Sequence, residues 1–162
     1  MSIRSATAAD IPAIIAVELS AGTLFEGTHM AWAVGETSTV AQLLELIDRR
    51  LVWVSEIDGN VAGYLCGAQL GGDFHIEEVA VSLAYQRQGV GRRLLENVAM
   101  RARDLDFDTL TLTTDRTLPW NAPYYERLGF SIIADAELPM ELRNALAEKP
   151  DPHRRCAMAK QI

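Results

Sequence analysis

The sequence is poor in cysteine, histidine and basic residues, and each shortage disfavours a class of protein. Among 162 residues only Cys66 and Cys156 are cysteines, too few for a disulfide-stapled secreted scaffold, so a reducing cytoplasmic setting is expected. His29, His75 and His153 are far apart, and neither cysteine has zinc-ligand spacing from them, so no metal site is predicted. With 15 basic against 22 acidic residues, the net charge of −7 disfavours nucleic acid and anionic membranes as partners and favours a cationic one.

Long apolar runs, repeats and linkers are also missing. No stretch approaches the roughly 18 unbroken apolar residues of a membrane span, and the first ten residues contain no apolar segment that would predict a secretory signal. Hydrophobic residues still make up 49% of the chain, enough to offset chain entropy in a folded core. The sequence therefore predicts one domain over residues 1–162 and no membrane association.

Local patterns in the first half predict two helices and a meander of strands. One helix is expected after Asp10, with Pro12 in its first turn, and a second after a Ser38/Thr39 cap. Asp58-Gly59-Asn60 predicts a hairpin between two strand-like runs, and a third strand is expected over residues 74–82.

The second half continues with a glycine-rich turn, a helix and a strand rich in β-branched residues over 109–114. A short helix ended by Gly129 and two last strands follow, with a weak helical pattern over Met140–Ala147 between those strands. The predicted order is β-α-α-β-β-β-α-β-α-β-β. A strand, glycine loop, helix and strand in succession favour a parallel crossover, so we expect a mixed α/β sheet of six to seven strands with helices on both faces.

The most informative stretch is Gln86-Arg-Gln-Gly-Val-Gly91, which lies between a buried strand and an amphipathic helix. A helix that begins at such a turn points unpaired N–H groups and the positive end of its dipole outward, so it receives a phosphate or pyrophosphate without a dedicated side chain. Arg87, Arg92 and Arg93 add local positive charge. The spacing is neither that of a Walker loop nor that of the three-glycine dinucleotide fingerprint.

Two motifs in register resemble one family. Gln86-x-x-Gly89-x-Gly91 is similar to the Gln/Arg-x-x-Gly-x-Gly/Ala motif of the GNAT superfamily of acyl-CoA-dependent N-acetyltransferases. Asn121-Ala-Pro-Tyr-Tyr-Glu-Arg-Leu-Gly-Phe130 resembles the family's Asn…Phe/Tyr-Tyr-Glu-x-Leu-Gly-Phe segment. The two motifs cover roughly residues 75–130, whereas the amino-terminal 50 residues match only in their helical pattern. Leu83 departs from the family, in which a proline is common at this position.

The resemblance implies a GNAT-type domain that moves an acetyl group from acetyl-CoA to a primary amine, by direct attack of the amine on the thioester. It also implies which residues contact the cofactor. The strand before the glycine loop would pair with the pantetheine arm, the loop amides would cradle the pyrophosphate, and an asparagine would lie near the pantetheine. These positions are Val79, Ala80 and Val81 in the strand, Gln86, Arg87, Gln88, Gly89, Val90, Gly91 and Arg92 in the loop, and Asn121.

For catalysis, the resemblance places Tyr125 near the thioester sulfur, where its phenol can protonate the departing thiolate. The plainer interpretation is a core tyrosine that packs against the short helix, and the neighbouring Tyr124 is a candidate for that role. The ammonium of the acceptor must also lose a proton before it attacks. Glu77 or Glu78 acting through water is the preferred base, with His75 or an ordered water chain as alternatives. By strand alternation, Glu77 and Glu78 face opposite sides of the sheet.

The acceptor is the least defined part of the prediction. The resemblance places the first helices and their loop over the acceptor side, so Glu18, Glu26, His29 and Trp32 are candidates to shape its pocket. Ordinary packing also explains each of them. A small metabolite, a drug-like amine, a peptide α-amine or a lysine all remain open as acceptor, and homodimers are frequent in such proteins. The alternative function is a non-catalytic acyl-CoA-binding sensor or regulatory domain.

Overall fold

A computed structural model describes residues 1–162, in which seven strands form one mixed sheet. Along the sheet the strands stand in the order β1-β2-β3-β4-β5-β7-β6, where the numbers follow the sequence. The strands are β1 (Ser2–Ser5), β2 (Val52–Ile57), β3 (Asn60–Leu70), β4 (Asp73–Val81), β5 (Thr109–Asp115), β6 (Ser131–Ile132) and β7 (Arg155–Gln161). The helices are α1 (Ile11–Gly22), α2 (Val40–Asp48), α3 (Val90–Asp104), α4 (Ala122–Arg127) and α5 (Met140–Ala147).

The predicted order of elements and the mixed α/β fold are confirmed. Helix α5 lies between β6 and β7, where the weak helical pattern predicted it. Short 3-10 turns at Thr23–Phe25 and Ala31–Ala33 occupy the irregular segment between α1 and α2. The sheet is mixed because β4 and β5 are parallel, whereas the other strand pairs described are antiparallel.

Helix ends follow the local chemistry of the sequence. Thr39 caps α2, since its hydroxyl accepts a hydrogen bond from the Gln42 amide while the Gln42 side chain accepts one from the Thr39 amide. Pro12 lies in the first turn of α1, where its missing N–H costs little. Gly129 follows α4 with a φ of +90°, the left-handed conformation that suits a glycine after a helix end.

Backbone contacts divide the chain into two compact units. The first unit comprises Met1–Gly67 and Glu78–Val98, and the second comprises Ala68–Glu77 and Ala99–Ile162. In the first unit, Ile14 and Val17 of α1 and Leu43 of α2 pack with Tyr64 and Ala80 in one buried apolar cluster. In the second unit, buried side chains come from β4, β5 and β7. One domain over residues 1–162 stays a prediction.

One helical stretch, Ala8–Phe25, is long and apolar enough, by length and composition alone, to cross a membrane. A count of unbroken apolar residues excludes this stretch, whereas average hydropathy tolerates the charged residues within it. The stretch contains Asp10, which is paired with Arg4, and Glu18, which accepts a hydrogen bond from Tyr64. A single helix near the amino terminus is weak evidence for a span, since the core helix of a globular domain passes the same test.

Candidate functional site

The glycine motif occupies the turn that leads from β4 into α3. Gly89 has a φ of +80° and Arg87 a φ of +61°, so the backbone is left-handed at two positions before the helix begins. The Arg93 amide donates to the Gly89 carbonyl at 3.0 Å, which is the first bond of the helical ladder. The amides of Val90 and Gly91 therefore lie at the open amino end of α3, as an anion-binding turn requires.

Helix α1 is hydrogen-bonded to the start of this turn. The Ser20 hydroxyl accepts the Leu83 amide at 3.0 Å and lies 3.2 Å from the Ser82 hydroxyl. The Gln86 side chain donates to the Val81 carbonyl at 3.4 Å. Leu83 is the position at which the sequence departs from the family's usual proline, and here its N–H makes a bond that a proline lacks the hydrogen to make.

The strand segment that precedes the turn loses one of its neighbours. Parallel pairing of β4 with β5 runs from Phe74 opposite Leu110 to Ile76 opposite Leu112 and ends there. Val79, Ala80 and Val81 continue β4 beyond this pairing. On the other side, the Ser82 amide donates to the Ala62 carbonyl of β3 at 3.0 Å. One edge of residues 79–81 is therefore outside the β4–β5 ladder.

Glu78 and Glu77 are both exposed and lie on opposite faces of β4. Glu78 is two residues from Ala80, which packs in the cluster formed with α1 and α2, so Glu78 shares the face that those helices cover. Burial, followed by the negative charge of Glu78, raises the pKa of the Tyr64 phenol well above its usual value. Tyr64 therefore stays protonated and donates to Glu18.

The buried Glu18 carboxylate joins three parts of the first unit. It accepts hydrogen bonds from Tyr64 of β3 and from both the amide and the hydroxyl of Ser38, at 2.9 and 2.7 Å. Glu18 was a candidate for the acceptor pocket, and the structure gives it a set of partners that fixes the segment before α2. Sequence reasoning missed Tyr64 and Ser38 in this network, because partners 46 and 20 residues away from Glu18 leave no local signal.

The other candidates lie in the segment between α1 and α2. Glu26 is exposed, and His29 and Trp32 are half-buried. The indole N–H of Trp32 is buried and makes no hydrogen bond.

His75, an alternative base, lies in the interior of the second unit. It is 8% exposed, and its Nδ1 is 2.9 Å from the Thr111 hydroxyl on β5. Burial lowers the pKa of His75 to about 4. The imidazole is consequently neutral near pH 7 and held by a core hydrogen bond, which suits a structural role.

The second motif begins at a turn built by Asp115. Its Oδ1 accepts the amides of Thr117 and Leu118 at 2.8 and 2.9 Å, which directs the chain from β5 toward α4. At the start of α4, the Asn121 amide group donates to the Thr114 hydroxyl at 2.9 Å. The Asn121 Oδ1 atom is buried and has no hydrogen-bond partner. An acceptor left in this state suits an amide N–H of a pantetheine arm.

Tyr125 and Tyr124 differ in their surroundings. Tyr125 is 9% exposed and makes edge-to-face contacts with Tyr124 and Phe130, with ring centroids 5.4 and 5.8 Å apart. Tyr124 is half-buried, and the guanidinium of Arg127 lies 5.8 Å from its ring centroid. Of the pair, Tyr125 is therefore the one held in a fixed, mostly dry setting.

Each unit contains some of the site residues predicted from the sequence. The first unit brings together Glu78, the strand residues Val79, Ala80 and Val81, and the turn from Gln86 to Arg92. The second unit contains Glu77, Asn121 and Tyr125. Arg92 also pairs with Glu96, with 2.8 Å between Nε and the carboxylate. No group of three or more His, Cys, Asp or Glu residues in the chain is arranged to hold a metal ion.

Comparison with known proteins gives a family and a fold. The family model described as the acetyltransferase (GNAT) family matches residues 23–130, which is more than half of the chain. This match includes the glycine motif and the motif from Asn121 to Phe130.

Solved structures resemble the chain over almost its whole length. N-acetylglutamate synthase from Neisseria gonorrhoeae, complexed with coenzyme A and N-acetyl-glutamate, has a TM-score of 0.78 and 23% identity. The match covers 99% of this chain but only 34% of the synthase, so the chain spans about a third of that protein's length.

Two further structures match over most of both chains. PaiA N-acetyltransferase from Thermoplasma acidophilum, in complex with coenzyme A, has a TM-score of 0.74 and 15% identity, and the match covers 99% of this chain and 98% of that one. The ribosomal-protein-S18-alanine N-acetyltransferase from Escherichia coli has a TM-score of 0.71 and 23% identity, with 99% and 93% covered. At these identities the likeness shows the fold.

Proposed function

Because the chain belongs to the GNAT acetyltransferase family, we propose that it transfers an acetyl group from acetyl-CoA to a primary amine in the cytoplasm. The observation that carries this proposal is the turn from Gln86 to Gly91, in which left-handed backbone at Arg87 and Gly89 leads into the open amino end of α3. The buried and unpartnered Asn121 Oδ1 is a second feature that fits CoA. Coenzyme A complexes among the similar structures agree with this use.

We assign the cofactor contacts to backbone groups and one side chain. The amides of the turn bind the diphosphate, because the dipole and the first N–H groups of α3 favour an anion. The unpaired edge of Val79, Ala80 and Val81 binds the pantetheine arm as a further strand would. Asn121 Oδ1 accepts one hydrogen bond from an amide of that arm. Acetyl-CoA supplies the acetyl group as a reactive thioester.

Two side chains move protons in this proposal. Glu78 accepts the proton of the acceptor ammonium through water, because Glu78 lies on the face that α1 and α2 cover, where the resemblance puts the acceptor. Glu77 is on the opposite face and is the weaker candidate. Tyr125 donates a proton to the leaving sulfur, since a phenol in a mostly dry setting stabilises charge that develops there.

A cationic acceptor fits the net charge of −7. The similar proteins include an N-acetylglutamate synthase and a ribosomal-protein-S18-alanine N-acetyltransferase, so the acceptor panel should contain free amino acids, polyamines and peptides with a free α-amine or a lysine.

The experiment measures thiol release from acetyl-CoA with each amine of the panel, beside calorimetric CoA binding. Thiol release that depends on one class of amine supports the enzyme. CoA binding without thiol release for any amine in the panel would instead support the sensor or regulatory domain.

A further inference from the structure

Gly63, in the middle of β3, lies against two backbone segments of the proposed cofactor site. A Cβ atom at this position would be 2.8 Å from the Ala80 carbonyl oxygen, 3.0 Å from Val90 Cγ1 and 3.3 Å from Val81 Cγ2. Favourable contacts between such atoms lie at about 3.5–4.0 Å. The absence of a side chain at Gly63 is therefore a condition for the observed positions of Ala80 and Val90.

The neighbouring strand leaves room at the same place. Ser55 of β2 is directly paired with Gly63, and paired residues share one face of the sheet. This is the face opposite to the apolar cluster, because that cluster contains the adjacent residues Val54 and Tyr64. The fully buried Ser55 hydroxyl makes no hydrogen bond. Two small residues thus form a notch in the sheet, which we call the Ser55–Gly63 notch.

Val90 is the residue of α3 that packs into the Ser55–Gly63 notch. It is 1% exposed, and it stands between Gly89 and Gly91 in the phosphate-binding turn. Any displacement of Val90 from the sheet moves the amides on either side of it. Ala80 and Val81, which also lie against the notch, are two of the three strand residues assigned to pantetheine.

We propose that Gly63 is a positioning residue for CoA binding, because the Ser55–Gly63 notch seats Val90 and the Ala80 carbonyl and thereby fixes the two backbone segments that receive the cofactor. This proposal rests on the proposed function. It adds a residue that contacts neither cofactor nor acceptor and that acts through Val90 and Ala80.

The first test compares Gly63→Ala with Gly72→Ala by calorimetry with CoA. Gly72 has an ordinary φ, and a Cβ at Gly72 would meet nothing within 4 Å, so its variant should bind CoA as the parent chain does. For Gly63→Ala, we expect the Kd of CoA to rise about tenfold or more, since the methyl group displaces the binding backbone. The KM for acetyl-CoA should rise in parallel, while kcat at saturation stays near the parental value.

The second test truncates two matched side chains of α3. It tests the positioning role of the notch even if Gly63→Ala does not fold. Val90 and Val98 are buried to the same degree in one helix, at 1% and 0% exposure, but only Val90 occupies the notch. Val90→Ala and Val98→Ala should both lower the melting temperature. Only Val90→Ala should weaken CoA binding, by about fivefold.

The outcomes separate the two proposals. If the parent chain binds no CoA, the proposed function fails and this inference fails with it. If the parent binds CoA and Gly63→Ala folds with unchanged affinity, the function stands and the positioning role is wrong. Equal CoA affinities for the Val90→Ala and Val98→Ala variants also contradict the role, since the effect would then be one of general packing.

Discussion

At the scale of single residues, each proton-transfer assignment depends on one side chain and on its immediate surroundings. Tyr125 is buried beside Phe130. Glu78 is exposed and lies on the face of the sheet that α1 and α2 cover. A buried phenol keeps its position while it donates, and an exposed carboxylate exchanges protons with water. Each group also has a chemically identical neighbour in sequence, Tyr124 or Glu77, which makes the assignments testable by matched substitution.

Tyr125→Phe should lower kcat by about 10²-fold or more, because a positioned general acid typically contributes about 10²–10⁴-fold. The Kd of acetyl-CoA should change little, since the ring and its contacts remain. Steady-state kinetics and calorimetry measure the two effects. Tyr124→Phe is the control and should cost much less. If Tyr124→Phe instead has the larger effect, the acid is Tyr124.

Glu78→Gln should lower kcat/KM by at least about tenfold and remove the rise of kcat/KM with pH, because the amide cannot accept the proton. Glu77→Gln, on the other face of β4, should keep the parental pH profile. The measurement is kcat/KM across a pH series for both variants. Parental profiles in both would show that neither carboxylate is the base and would leave water as the proton acceptor.

His75 predicts a dependence of stability on pH. Its pKa is about 4 in the folded chain against about 6.5 in an unfolded one, so between these values the unfolded chain binds an extra proton. The free energy of unfolding should therefore fall by about 3 kcal/mol as the pH drops through this window. Urea titrations of the parent and of His75→Asn measure this contribution as the difference between their pH slopes.

The exposed His153 provides the control for that measurement. His153→Asn shows how much of any change in slope comes from replacing a histidine as such. A parental slope in His75→Asn as well would mean that His75 is protonated alike in the folded and unfolded chains, contrary to its burial.

At the scale of elements, α1 matters to the glycine turn because Ser20 accepts the Leu83 amide. A hydrogen bond thus joins the turn before α3 to a helix more than sixty residues earlier in the chain. The Ser82 backbone is extended, with φ −55° and ψ 141°, which is compatible with a proline at the next position. Leu83 also begins a short 3-10 turn, where a proline's missing N–H is tolerated.

Leu83→Pro should therefore change the free energy of unfolding by less than about 1 kcal/mol, because the lost hydrogen bond is offset by a stiffer chain. Ser20→Ala should destabilise the parent by about 1 kcal/mol but have little further effect in the Leu83→Pro background. Urea unfolding of the two single variants and the double variant measures this. Fully additive effects would show that the Ser20–Leu83 bond contributes nothing.

Elements with a strong local signal were predicted well from the sequence. Thr39 is a residue type that favours a helix cap. The turn at Asp58-Gly59 and the turn before α3 contain glycines, which adopt left-handed backbone readily. The networks around Glu18 and His75 were not predicted, because each joins strands or helices far apart in sequence. Gly63 carried a usable signal, since an isolated glycine inside a strand often marks a close backbone approach.

At the scale of the whole molecule, the family and the fold are shown, while the reaction rests on the assigned groups. The predicted order of elements proved correct because strands and helices differ clearly in the spacing of their apolar residues. The acceptor could not be predicted, because the segment between α1 and α2, where the resemblance puts the acceptor, carries no motif. The net charge of −7 favours cationic amines over anionic ones but does not distinguish among them.

The most direct test of the central claim follows both products of one reaction. The chain is incubated with isotopically labelled acetyl-CoA and the best amine of the panel, and free CoA thiol and labelled amine are quantified by absorbance and mass spectrometry. Transfer predicts equal amounts of acetylated amine and free thiol, both strongly reduced in Tyr125→Phe. Free thiol without acetylated amine would indicate thioester hydrolysis, and CoA binding with neither product would contradict the assignment of an acetyltransferase.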